Sequence, residues 1–229
     1  MTESMRDLIE DAKTIFLQTL KRTDLERVFR EKIQRDGELL HFGTETVALS
    51  DYARILLIGL GKASLQMGVL VEQLLAGRLE QGILVSNHRA HLHLRSKVIV
   101  ASHPIPDRRS FEAGQQIIDL IKQADSKTLI IYIISGGGSS LVELPIIDEI
   151  PLEEFMQLNR ILIGCGANIQ EINIIRKFLS RIKGGRLGSS AQHAHSIAIF
   201  LSDVNAGDLQ ALASNPLLPD DATLEEFYH

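Results

Sequence analysis

The chain opens on apolar residues at helical spacing and then changes rhythm. Leu8, Ile9, Ala12, Ile15, Phe16 and Leu20 make one three- and four-residue stripe. Leu25, Val28, Phe29 and Ile33 make a second after Thr23-Asp24, so two amphipathic helices are predicted. Polar Gln34 to Glu38 lead to a strand within Leu39 to Leu49. Beyond that, the runs at Arg54 to Ile58, Gly82 to Ser86, Lys97 to Ala101, Thr128 to Ile134 and Ser196 to Leu201 are short and apolar throughout. Such runs suit strands covered on both faces of a parallel sheet. Helical patterns separate them: one reaches about Leu75, one carries Phe111, Ile117, Ile118 and Ile121, and one carries Ile172, Ile175, Leu179 and Ile182. Alternating strand and helix imply an α/β fold, a three-layer Rossmann-like domain with a mostly parallel sheet. Residues 1–229 read as a single domain, with 1–50 a mainly helical lead-in packed on it.

The strand ends carry the chemistry. Ser135-Gly136-Gly137-Gly138-Ser139-Ser140 follows the most apolar strand, where open α/β sheets bind ligands and where glycines let backbone amides converge on an anion. Gly59-Leu60-Gly61-Lys62-Ala63-Ser64 is a second strand-to-helix turn. A dinucleotide fingerprint fits it poorly, because the third glycine position holds Ser64 and the next strand ends in Asn87 rather than an acid. A P-loop fits worse, since Lys62 precedes Ala63. What survives is a lysine at a helix N-terminus, suited to an anion or equally to plain surface exposure. Ser102-His103-Pro104-Ile105-Pro106-Asp107 is a third such turn, in which Asp107 or Ser110 caps the next helix. His88, His91 and His93 cluster without a Cys or carboxylate beside them, which argues against zinc.

Asn168 is a good N-cap, and Glu171 three residues on completes a capping box. The helix is predicted to run from there to Gly184-Gly185. Its cations Arg176, Lys177, Arg181, Lys183 and Arg186 have no acid among them. Two readings stay open: a solvated basic face, or an anion site in which Arg176 and Lys183 project from one side.

Composition narrows the partners. The formal charge is −5, against general nucleic-acid affinity, so the basic cluster would serve a small anion. With 45% apolar residues over 229 positions the chain can bury a sizeable core, yet no apolar run approaches the roughly 18 residues of a membrane span. The acidic amino terminus lacks a signal-peptide layout, and one cysteine, Cys165, fits a reducing compartment; a cytoplasmic protein is expected.

The run Ile163-Gly164-Cys165-Gly166-Ala167-Asn168-Ile169-Gln170-Glu171-Ile172-Asn173, continuing through Arg176-Lys177 to Lys183-Gly184-Gly185-Arg186-Leu187, resembles the signature of the type II (MOFRL-type) glycerate kinases. Their amino-terminal domain carries a similar glycine-serine loop, GKA turn and HPxPD turn, in the same order. The resemblance extends from about Gly59 onward. It implies ATP-dependent phosphorylation of D-glycerate, or a related sugar acid, at the 2-hydroxyl, with Mg²⁺. Lys62 would be the catalytic lysine. Ser135, Gly136, Gly137, Gly138, Ser139, Ser140, His103, Asn173, Arg176 and Lys183 would bind substrate or phosphate, and Asp203 would serve the metal. The loop and the Arg176/Lys183 pair are expected to face one cleft, with Lys62 opposite. Ser202-Asp203-Val204-Asn205-Ala206-Gly207-Asp208-Leu209 departs from the family's SDVPGDD, and Asn215 stands where the family has glycine. The family's second domain has no counterpart in the sequence, so weak activity alone is expected, with association to a second copy or a separate closing domain. The other readings are a non-catalytic sugar-acid or nucleotide binding domain, and a hydroxypyruvate reductase, for which a cofactor fingerprint is missing.

Overall fold

The five continuous apolar runs become five parallel strands. They are β4 (Arg54–Leu60), β5 (Gln81–Ser86), β6 (Lys97–Val100), β7 (Thr128–Ser135) and β8 (His195–Leu201), numbered after three strands nearer the amino terminus. Their spatial order is β6-β5-β4-β7-β8. The sheet therefore grows outward from β4 in one direction and then, by a crossover, in the other. The switch of direction lies between β4 and β7, paired from Arg54↔Thr128 to Leu60↔Ile134. A computed structural model describes residues 3–89, 93–202, 209–220 and 223; His91 and Asp203 lie outside them.

Helices cover both faces of this sheet. Leu56, Ile58 and Leu60 of β4 and Ile130, Tyr132 and Ile134 of β7 share a core with Ile117 and Ile121 of a helix spanning Arg108–Ile121, and with Leu187 of another spanning Arg186–Ser190. On the opposite face Gly59 and Gly68 make room for Leu84, which brings the helix Ser64–Leu75 close to the sheet. All eight residues of β7 are buried, as a central parallel strand requires. Burial of each large aliphatic side chain contributes about 1.5–3 kcal/mol. No described helix is long and apolar enough to cross a membrane.

The chain divides into two units, Met1–Ser50 and Asp51–His229. The first holds helices Glu3–Arg22 and Leu25–Lys32, the latter capped by Asp24, whose side chain accepts from the Arg27 amide at 2.9 Å. It also holds an antiparallel sheet of Ile33–Asp36, Leu39–Phe42 and Glu45–Ala48. Ile33, expected in the second helical stripe, instead begins a strand. Gln34 to Asp36, expected as a polar lead-in, continue that strand, because pairing with Leu39–Phe42 satisfies their backbone groups. In chain order the helices of the protein are α1 and α2 here, then α3 (Ser64–Leu75), α4 (Arg108–Ile121), α5 (Gly138–Leu141), α6 (Leu152–Gly164), α7 (Ile169–Phe178) and α8 (Arg186–Ser190).

One helix is shorter than its pattern. α7 stops at Phe178, although apolar spacing carries it to Ile182. Tertiary partners capture its last turn. The Ser180 hydroxyl accepts from the amides of Ile182 and Lys183, and the Arg181 amide donates to the Leu144 carbonyl at 2.7 Å. The Arg186 guanidinium reaches back to the carbonyls of Lys177, Ser180 and Lys183. Gly184 and Gly185 thus end a turn that leads into α8, and Gly185 is that helix's left-handed N-cap.

Candidate functional site

The switch point is built from two loops locked together. The Lys62 amide donates to the Gly136 carbonyl at 3.0 Å, and the Ala63 amide donates to Ser135 Oγ at 3.1 Å. Gly61 sits at φ +123°, and a Cβ there would run into the Ser135 backbone, so this approach admits only glycine. Topology puts both loops at the carboxyl edge of the sheet, where adjacent parallel strands diverge.

Side chains gather on that edge. A Cβ on Gly137 would lie 3.1 Å from both Lys62 Cε and His103 Cδ2, so the lysine and the imidazole flank the bare glycine backbone. His103, Gly136, Gly137, Ser139, Ser140, Asn173 and Arg176 line a cleft of about 330 Å³, closed on another side by Ala211 to Ser214 and rimmed by Ile163 and Ile169. The amides of Gly137, Gly138 and Ser139 meet no acceptor among the described residues. Among those residues the Lys62 ammonium and the terminal nitrogens of Arg176 also have no hydrogen-bond or ion-pair partner, whereas Arg176 Nε donates to Asn159 Oδ1 at 3.2 Å. Among the described residues the cleft lining is therefore a concentration of donors and positive charge with no acidic side chain.

Electrostatics agree with that inventory. Burial first, and then the positive charges of Lys62 and Arg176, push the His103 pKa below the usual histidine value, so the ring is neutral at pH 7. Burial likewise lowers the Arg176 pKa, although the guanidinium stays charged. The His103-Pro104 peptide is cis. Asp107 and Ser110 form a reciprocal cap that starts α4 directly after this turn.

The five cations between residues 176 and 186 have separate fates. Arg176 alone faces the cleft. Lys177 bonds Asp220 Oδ1 at 2.6 Å, Arg181 pairs with Asp148 at 2.8 Å, and Arg186 caps carbonyls as described. Lys183 points inward, 1% exposed, to the buried Glu143 carboxylate. Glu143 also accepts from the Ser180 hydroxyl and, at 2.9 Å, from the Leu144 amide. The expectation that Lys183 joins Arg176 in the cleft fails for a physical reason: α7 ends before residue 183, so helical spacing no longer relates the two. Lys62 lies over Gly137 rather than across from the loop. Ser135 and Gly138 sit behind the cleft wall, the first holding the Ala63 amide and the second beneath Ala213. Asp203 lies outside the described residues.

Two further contributors escape the sequence pattern. Ser214 Oγ donates to Asn173 Oδ1 at 2.9 Å and so accepts from the Ser139 hydroxyl at 2.7 Å, tying the glycine loop to α7. It belongs to a turn in which Ala213, Ser214 and Asn215 all have positive φ, at 50°, 57° and 52°. That conformation costs about 1–2 kcal/mol per residue. It is held by the Asn215 side chain, which bonds Leu218 at both its amide and its carbonyl, and by the Gly184 and Gly185 amides, which donate to the Ser214 and Asn215 carbonyls. The other contributor, Asn159, has no motif around it.

Comparison with known proteins places this chain in a family. Residues 11–229 match the family described as Domain of unknown function (DUF4147), and the chain belongs to it. It is 31% identical to a protein named D-glycerate 2-kinase from Thermotoga maritima, over 95% of this chain and 50% of that protein. It is 37% identical to a putative hydroxypyruvate reductase from Agrobacterium vitis, over 76% of this chain and 45% of that protein. The crystal structure of a glycerate kinase from Thermotoga maritima superposes with a TM-score of 0.80 at 29% identity, covering 99% of this chain and 51% of that one. The chain spans about half the length of the curated relatives it matches.

Proposed function

We propose that this chain is the nucleotide- and acid-binding half of a glycerate 2-kinase, which moves the γ-phosphoryl group of ATP to the 2-hydroxyl of D-glycerate in the cytoplasm. The observation that carries this reading is the cleft at the switch point, where Lys62, His103, Arg176 and the amides of Gly137 to Ser139, which meet no acceptor among the described residues, converge. Phosphoryl transfer asks a protein mainly to position two anions and to compensate charge as it develops. In this reading the glycine amides and Lys62 hold the transferring phosphoryl group, and Arg176 with Asn173 holds the acid. The 2-hydroxyl oxygen attacks the γ-phosphorus, the bond to the β,γ-bridging oxygen breaks, and ADP leaves. The hydroxyl proton passes to neutral His103, a base whose lowered pKa keeps it unprotonated at pH 7.

The described residues hold no group of three His, Cys, Asp or Glu side chains suited to a metal ion. Asp203, the acid that the resemblance gives to the metal, lies outside the described residues, so no step is assigned to magnesium. A hydride-transfer reading is not favoured, since the Gly61-Lys62 turn is closed against Gly136 and lacks the open glycine approach of a dinucleotide site.

Separate calorimetric titrations of the 229-residue protein with D-glycerate and with ATP, followed by a coupled ADP-release assay, test this function. Saturable binding of both ligands, with D-glycerate binding weakened in Arg176→Ala, is expected. Failure of both ligands to bind would overturn the reading.

A further inference from the structure

Arg176 is not free to turn. Its Nε donates to Asn159 Oδ1 at 3.2 Å across the α6–α7 interface, and Asn159 is 4% exposed. The other end of that amide is also committed, because Asn159 Nδ2 donates at 3.0 Å to the carbonyl of Phe155, one turn earlier in α6. These two partners allow one orientation of the carboxamide. A flipped amide would set NH₂ against the Arg176 N–H and oxygen against a carbonyl oxygen. Phe155 is itself fixed, 2% exposed and edge-on to Phe111 of α4 with ring centroids 5.4 Å apart. A rigid chain of contacts thus runs from α4 through α6 to the guanidinium.

We propose that Asn159 is a positioning residue, which by occupying Nε turns the two terminal nitrogens of Arg176 into the cleft as an end-on fork for the carboxylate of the acid substrate. The carboxylate assignment rests on the glycerate reading above; the positioning role does not. A guanidinium offers a carboxylate two bidentate approaches, side-on through Nε and one terminal nitrogen, or end-on through both terminal nitrogens. Asn159 blocks the first. The terminal nitrogens, which lack partners among the described residues, remain for the second. An arginine so held loses less side-chain freedom on binding than one that must be ordered by its ligand. Asn159 reaches the substrate only through Arg176, and this distinguishes it from the side chains that line the cleft.

The test is a double-mutant cycle on the 229-residue protein with Asn159→Ala, Arg176→Ala and the pair, titrated with D-glycerate and, separately, with inorganic phosphate. Asn159→Leu, which fills the same space, serves alongside in case Asn159→Ala does not fold. Asn159→Ala should weaken binding about 10-fold, Arg176→Ala more, and the pair no more than Arg176→Ala alone, since coupled residues are non-additive. In nitrogen-edited NMR spectra the Arg176 Nε–H should show slowed exchange in the wild type and lose it in both Asn159 variants. Non-additive losses for phosphate, with no D-glycerate binding, would keep the positioning role and remove the glycerate reading. Additive losses, or an Nε–H signal indifferent to Asn159, would overturn the proposal.

Discussion

Lys183 and Glu143, forty residues apart in sequence, form an ion pair in the interior with side chains 1% and 2% exposed. Burial pulls the Lys183 pKa down while the Glu143 carboxylate holds it up. This pair anchors the segment after α7 rather than serving a ligand. Removing one partner of a buried pair strands the other charge, so Lys183→Met is expected to cost about 3–5 kcal/mol in urea unfolding. Adding Glu143→Gln should recover much of that loss. A ligand-binding defect in Lys183→Met without a stability loss would instead return Lys183 to the cleft.

His103 makes stability and activity depend on pH in a defined direction. Its pKa in the folded protein lies below the unfolded value of about 6.5. As pH falls through that window the unfolded chain binds a proton that the folded one refuses, and stability falls with it. Above the window the term vanishes. His103→Gln should flatten this part of the stability profile measured by thermal unfolding. If the imidazole is the base, the acid limb of activity lies below pH 6.5 in the wild type and is absent in the variant.

Arg176 and Lys62 separate affinity from stability. Charge-assisted hydrogen bonds contribute about 1.5–3 kcal/mol, so Arg176→Ala should weaken D-glycerate binding by roughly 10- to 100-fold in calorimetry. Lys62 is exposed and unpaired among the described residues. Lys62→Ala should reduce ATP affinity while changing unfolding free energy by no more than about 0.5 kcal/mol.

Gly185 links the KGGRL segment to the cleft. It has φ +74°, and a Cβ there would collide with the Leu218 carbonyl of the loop that presents Ser214. The left-handed conformation alone costs a side chain about 1–2 kcal/mol, and the clash adds to it. Gly185→Ala should therefore lower the melting temperature and, by displacing Ser214 from Asn173, weaken ligand binding as well. Unchanged binding in a folded variant would show that this loop leaves the site indifferent.

Turnover should separate from binding. The relatives are about twice as long as this chain, and in the proposed kinase a second segment closes the cleft, excludes water and completes the charge compensation. The chain alone, assayed for ADP release with D-glycerate and ATP, is expected to fall well below the roughly 1–100 s⁻¹ usual for kinases. A rate inside that range would show that no closing segment or second copy is needed.

What the sequence determined by itself was local. Continuous apolar runs located the five parallel strands, because a strand buried on both faces tolerates little else. Asn168 with Glu171 was legible as a capping box, and Asp107 or Ser110 as a cap, since each bond spans three residues; that Asp107 and Ser110 cap reciprocally came from the structure. The turns carrying Lys62, His103 and Gly136 to Gly138 were legible as strand ends, and parallel topology brings such ends to one edge. The tertiary structure decided what the cations do. Lys177 and Lys183 look equivalent to Arg176 along the chain, yet their partners Asp220 and Glu143 lie 43 and 40 residues away. Those distant partners, with the Leu144 carbonyl, end α7 early and rotate Lys183 out of register. Asn159 was invisible for the same reason. Its role exists only where α6 packs against α7, and no spacing within one helix encodes the orientation of its amide.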